Sequence, residues 1–265
     1  MSERLFFVIS LLVMLFTPKN DKNGHAVSLV KVLNDPIDFE ENFENQPVFN
    51  GLHTQFSEDH SFSIVDNPVY EGKYAGKFEL RYGDRRATRT GRRVEVLFPA
   101  LPNKERWYSF LAYFPASGYV DDKDSELISQ WHNCCGTPTI GLRNRDGRLM
   151  MRIGHDRNLR GSEWSNFDLG PVPKDRWIEF VFHIIHSDGS DGIVNAWQNG
   201  RQVVRHRGPN MEKDSELPRW KIGIYKSTWD ERPTLVQGRI VYFDNIKLGN
   251  ENATLEMMST FWEKN

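Results

Sequence analysis

A chain of 265 residues can be held in one large β-sandwich, so a second full domain is not required. Its 34 basic and 36 acidic residues leave a formal net charge of -2, which argues against a general nucleic-acid binder. Aromatic residues make up 12% of the chain, including 17 Phe and 8 Trp, and such rings favour a pleated, half-buried surface over helices. In chain order, Arg4 precedes an apolar stretch over residues 5–16, followed by polar residues. That run suits a signal-peptide core and is short for a membrane span of about 20 residues. Residues 1–26 are expected to be a signal peptide, 27–36 a flexible arm and 37–265 a single β-domain. The mature protein is then secreted or periplasmic, monomeric and without a stable membrane span.

Beyond the arm, short apolar runs alternate with clusters of Gly, Pro, Asn and Asp. They predict strands over 61–65, 75–82, 92–98, 106–114, 126–132, 139–143, 148–154, 177–186, 192–198, 201–206, 220–225 and 238–248. None of the intervening stretches carries a helical apolar stripe over three turns. Asp146-Gly147 and Asn199-Gly200 each predict a tight hairpin. A dozen strands are most economically buried as two stacked antiparallel sheets, and one of these can offer a groove. The two cysteines, Cys134 and Cys135, are adjacent, which excludes a disulfide framework and leaves either a bridge between neighbours or two buried thiols. Neighbouring side chains on a strand point to opposite faces, which disfavours a shared zinc ion.

Three predicted strands place polar residues where a buried face would want apolar ones. Arg93 and Glu95 share one face, Gln130 and His132 share one, and Lys221, Gly223 and Tyr225 share one, while Val94, Val96, Trp131, Ile222 and Ile224 supply core. Six arginines, among them Arg92 and Arg93, fall between positions 81 and 93 and form a local positive field that attracts anionic polysaccharide.

These residue types suit β-elimination in a uronate polymer. An arginine or amide damps the sugar carboxylate as an enolate-like state develops. A neutral histidine removes the adjacent proton, and a tyrosine protonates the leaving oxygen or serves both proton transfers. His132, Tyr225, Gln130 and Arg93 are the catalytic candidates. Glu95, Lys221, His53, Arg92 and Trp197 are candidates for binding substrate, with Trp164 and Trp229 as further stacking platforms.

Two rivals remain at this level. A glycoside hydrolase needs two carboxylates at close spacing, which Asp122, Asp124 and Glu126 offer within a loop-like segment. A non-catalytic carbohydrate-binding sandwich needs only the aromatic platforms and basic residues. Acidic residues near position 40, with Glu40 foremost, and Asp244 in the last strand offer hard oxygen ligands for a structural calcium, since first and last strands of a sandwich often run side by side.

The set Arg93-Val-Glu-Val-Leu97, Gln130-Trp-His132 and Lys221-Ile-Gly-Ile-Tyr225-Lys-Ser227 resembles the three motif strands of alginate-lyase-like jelly rolls. The fuller order adds the segments at 72–80, 107–110, 177–183, 191–200 and 242–248. It is similar to the heparinase-I-like and glucuronan-lyase-like polysaccharide lyases. That resemblance implies a β-jelly roll of the concanavalin-like two-sheet kind with a concave groove. It also implies export, β-elimination without a catalytic cofactor, and often a structural calcium. By the alginate-lyase pattern, Arg93, Gln130 and His132 would bind or neutralise the carboxylate or act as base, and Tyr225 would donate the proton. Val94, Trp131 and Ser227 depart from that pattern, which moves glucuronan or another uronate polymer ahead of alginate.

Overall fold

Alternation of apolar and polar residues is realised as two stacked antiparallel sheets in a computed structural model that describes residues 35–133, 136–156, 158–159 and 163–262. The expected signal peptide, most of the arm and the Cys134/Cys135 pair lie outside the described residues. Residues 36–265 make one compact unit.

One sheet contains β1 (Ile37–Glu41), β3 (Phe62–Val65), β4 (Ala75–Arg81), β6 (Glu105–Tyr113), β11 (Trp177–Ile185), β12 (Ile193–Gln198), β13 (Arg201–Arg207) and β15 (Gly238–Gly249). Its order is β13-β12-β11-β6-β15-β4-β3, with β1 pairing the far end of β15. The other sheet contains β2 (His53–Gln55), β5 (Arg92–Leu97), β7 (Glu126–His132), β8 (Ile140–Arg145), β9 (Arg148–Ile153), β10 (Ser165–Pro171) and β14 (Arg219–Lys226), in the order β10-β9-β8-β7-β14-β5-β2. This is an all-β jelly roll that carries one short α-helical turn, α1 (Leu255–Met258), and a 3-10 turn at Ser227–Asp230. No helix of the described residues is long and apolar enough to cross a membrane.

Between the sheets lies a core rich in rings. Phe78, Phe110, Phe180, Phe182 and Phe243 from the first sheet meet Trp131, Trp220, Val94, Val96, Ile222 and Ile224 from the second, all buried. Many ring pairs are edge-to-face, such as Phe78 on Phe243 at 4.9 Å and Trp131 on Phe182 at 5.0 Å, an arrangement that suits the ring quadrupole.

The two expected hairpins form as the turn chemistry requires. Asp146 and Gly147 have φ of 52° and 68°, and Asn199 and Gly200 have 49° and 76°, the left-handed pairs of a turn whose twist matches its strands. Three strands go beyond the sequence reading. β1 hides its period of two in an acidic run, β2 is three residues long, and β10 mixes Asp168, Gly170 and Pro171 into its pattern.

Candidate active site

The face of the second sheet turned away from the core carries a cleft of about 510 Å³. The pairing register explains its lining. Tyr225 on β14 stands opposite Arg93 on β5 and Leu127 on β7, and Lys221 stands opposite Leu97 and Gln130. The period of two then turns Arg93, Gln130, His132, Lys221 and Tyr225 into the cleft, where they are joined by Gln55 from β2 and by Thr88, Arg89 and Thr90 from the loop before β5.

Glu95 is the centre of this arrangement. It is 1% exposed, yet its carboxylate accepts Nη1 of Arg93 at 3.2 Å and Nε2 of Gln130, with Nζ of Lys221 at 4.0 Å. A buried carboxylate would be costly alone; two cations and an amide offset that cost and are themselves aimed by it. Nη2 of Arg93 donates to the Thr90 carbonyl at 2.5 Å, and its guanidinium lies 4.3 Å over the Tyr225 ring. Gln130 spends one N–H on Glu95 and keeps the second for a ligand.

Burial raises the Tyr225 phenol above its ordinary pKa, with Arg93 pulling the other way. The ring therefore holds its proton at neutral pH. Burial also lowers Lys221, against the pull of Glu95.

The arginine-rich loop is tied down over Tyr225. Asp230, in the 3-10 turn after β14, accepts the Gly91 N–H and Nε of Arg86 at 2.8 Å, and lies 3.7 Å from Nε of Arg92. Gly91 has φ of 76°, and any Cβ there would enter the Tyr225 ring.

Other residues singled out in the sequence fall elsewhere. Arg92 turns toward Asp230 rather than into the cleft. His53 is exposed on edge strand β2, on the Gln55 side but outside the cleft lining. Trp197 is corrected as a groove residue: it belongs to β12 of the other sheet, stacked 5.8 Å from Trp107, because strand order separates it from the cleft. Trp229 is core, and Trp164 lies under the Arg152 guanidinium at 4.1 Å.

Two of the three carboxylates a hydrolase would need, Asp122 and Glu126, are committed inward. Asp122 and Glu126 surround Nζ of Lys226 at 2.9 Å each, and Glu126 also accepts Nε of Arg239 at 2.8 Å, all four side chains being fully buried. Asp124 pairs with Arg232 at 2.8 Å.

Glu40 and Asp244, the candidates for a structural calcium, have different partners. Glu40 faces Nζ of Lys247 at 3.4 Å, whereas Asp244 is buried, accepts the N–H groups of Asn245 and Tyr70 at 2.9 and 3.2 Å, and is pushed up by burial to about 6. Among the described residues no group of three or more His, Cys, Asp or Glu is arranged to hold a metal.

The sequence reading missed Gln55, whose Oε1 is buried and unbonded, and the pair Arg143 and Arg152 on β8 and β9. These two line a second hollow of about 240 Å³ that shares Gly136, Pro138 and Tyr225 with the main cleft. Burial and the neighbouring Arg152 press Arg143 down to about 9, which still leaves it charged at neutral pH. An alternating Arg/apolar signal was present in both strands, but nothing local says which sheet they join.

Comparison with known proteins bears on this cleft. A family model described as polysaccharide lyase matches residues 41–247. No curated protein sequence matches the chain. Among solved structures, an endo-beta-1,4-glucuronan lyase from the fungus Trichoderma reesei is similar at a TM-score of 0.66 and 20% identity, covering 81% of this chain and 95% of that one. The alginate lyase AlgAT5 from polysaccharide lyase family 7 has a TM-score of 0.53 and 12% identity, covering 82% and 92%. The cellulose induced protein Cip1 has 0.54 and 11%, covering 80% and 97%. At these identities the likenesses show the jelly-roll fold.

Proposed function

Because the chain belongs to the polysaccharide lyase family, enzymes that open acidic polysaccharides by β-elimination, we propose that the cleft around Glu95 and Tyr225 is its active site and that its substrate is a glucuronan-like uronate polymer. The observation that carries this reading is the Glu95 hub. It presents Arg93, the free N–H of Gln130 and Lys221 together, beside a protonated Tyr225.

In this reading the sugar carboxylate lies against Arg93 and Gln130, and their positive and donor groups stabilise the enolate-like state as it gains charge. His132 takes the proton from the carbon next to the carboxylate. The electron pair left behind forms the carbon–carbon double bond and expels the glycosidic oxygen, which takes the Tyr225 proton. One new end is an unsaturated uronate and the other an ordinary sugar hydroxyl. His132 must then return its proton to solvent and Tyr225 regain one. Residues 1–26 are part of the same reading as a leader that sends the enzyme to its polymer outside the cell, tested by N-terminal sequencing of the exported protein.

The preference for glucuronan draws support from the sequence departures at Val94, Trp131 and Ser227 and from the glucuronan lyase likeness. The test is the ultraviolet absorbance of unsaturated uronate when the protein is offered glucuronan, alginate, heparin-like chains and pectate, with Tyr225→Phe in parallel. Glucuronan giving the fastest rise, abolished in the variant, is the expected result. A faster rise with another polymer overturns the substrate, and binding without any rise overturns the chemistry in favour of a carbohydrate-binding module.

A further inference from the structure

Most arginines near the cleft have a carboxylate. Arg93 has Glu95, Arg86 and Arg92 have Asp230, and Arg148 on the outer hairpin has Asp168 at 2.5 Å. Arg143 and Arg152 are different. Among the described residues neither has a carboxylate partner, both are half-buried, and the Nε of each is buried and unbonded. Two like charges side by side in a half-buried hollow repel one another and lose solvation, so the free protein gains nothing from the pair. What the arrangement lacks is an anion.

Its geometry is already prepared to take one. The Arg152 guanidinium carbon lies 4.1 Å over the Trp164 ring, which anchors the head group, and Trp164 is itself held by its Nε1 donating to the Leu159 carbonyl at 3.0 Å. The Leu127 side chain lies over Gly141, which stands beside Arg152 in the β8–β9 register, and gives the hollow an apolar floor. The hollow is continuous with the main cleft through Tyr225, and Arg143 stands two strand spacings from Tyr225, about 10 Å.

We infer that Arg143 and Arg152 form a second anionic subsite that grips the carboxylate of another uronate residue farther along the chain than the one opened at Tyr225. This rests on the reading of the main cleft as the place where an acidic polysaccharide lies. The subsite makes the enzyme measure a run of charged sugars, because one carboxylate at Arg93 and a second at Arg143 and Arg152 must be in register. A polymer with neutral sugars at that position then binds more weakly even where its scissile residue is correct.

The experiment compares the parent with an Arg143→Met/Arg152→Met double variant on polyglucuronate and on its carboxyl-reduced, neutral counterpart. It reads affinity by calorimetry and unsaturated ends by absorbance, with the thermal unfolding midpoint of each protein as the check on folding. The expected result is a rise in KM and in Kd of about tenfold or more for polyglucuronate, as befits lost charged hydrogen bonds, with kcat nearly kept and a shallower dependence of affinity on salt. Arg143→Met alone should unfold no sooner than the parent, since it removes repulsion. A parent that cleaves while the double variant keeps its KM and salt dependence overturns the subsite and leaves the lyase reading standing. A parent that binds without cleaving, while the variant loses affinity, does the reverse. Equal affinity for the charged and neutral polymers overturns both.

Discussion

Tyr225 has its phenol raised by burial and crossed by the Arg93 guanidinium at 4.3 Å, so as the general acid of the proposed reaction it would release its proton only to a strong base such as a departing sugar oxygen. Tyr225→Phe keeps the ring and removes the proton. It should lower kcat by about 10²–10⁴-fold, the usual worth of a general acid, with the unfolding midpoint unchanged. Glu95 touches no substrate in this reading and is a positioning residue. Glu95→Gln should raise KM and blunt kcat together, while Glu95→Asp restores part of both, a pattern that steady-state kinetics on one polymer can check. Asp244 makes a prediction of the opposite sign from most carboxylates. Its folded pKa of about 6 lies above the ordinary 3.8, so the folded protein binds more protons than the unfolded chain between those values, and stability contributed by neutral Asp244 is lost as pH rises through about 6. Asp244→Asn should therefore help the urea midpoint more at pH above 6 than below 4. Added calcium raising the parent's midpoint, and not the variant's, would assign a cation to this carboxylate.

Strand β14 is the element on which the site is built, since it lies between β7 and β5 and contributes to both faces. Its register against β7 shifts between Ile222 and Tyr225, and Gly223 there has φ of 140° with its missing Cβ pointed at the Val94 carbonyl. The glycine thus allows the β5 backbone to approach. Gly223→Ala should destabilise the fold by about 1–3 kcal/mol, the cost of a strained backbone position, seen as a lower urea midpoint. Gly91→Ala belongs to a loop instead, where its Cβ displaces the segment over the Tyr225 ring. It should cost activity on the polymer while leaving the unfolding midpoint near the parent's. The contrast between these two glycines separates the scaffold from the cover.

At the scale of the molecule, the buried cluster of Asp122, Glu126, Lys226 and Arg239 joins the two sheets, since Lys226 comes from β14 and Arg239 from β15. Removing one partner leaves an uncompensated buried charge, so Lys226→Met should cost about 3–5 kcal/mol. Its neighbours Lys226 and Arg239 hold Glu126 below its ordinary 4.5 despite burial. Stability from that carboxylate is present above the unfolded value and is lost as pH falls through the lowered one. Acid unfolding should therefore set in below pH 4.5 and be delayed by little salt, because the cluster is screened from solvent.

Local chemistry was readable in the chain itself. A period of two marks strands and tells which residues share a face, and Asp146-Gly147 and Asn199-Gly200 specify their hairpins through the left-handed φ they accept. That was enough to group Arg93 with Glu95, Gln130 with His132 and Lys221 with Tyr225, because each pair is two or four residues apart on one strand. It was not enough to recognise β2, whose three residues hold too little pattern, or to see that the Asp122 and Glu126 carboxylates turn inward. Strand order was decided by the tertiary fold alone. It placed β14 between β7 and β5, made Glu95 the common partner of three strands, carried Trp197 to the far sheet and brought Arg143 and Arg152 to the hollow beside the cleft. Pairings such as Arg93 with Tyr225 join residues more than a hundred positions apart. What selects them is the burial of a whole sheet face at once, a property of the assembled sandwich that no window of sequence contains.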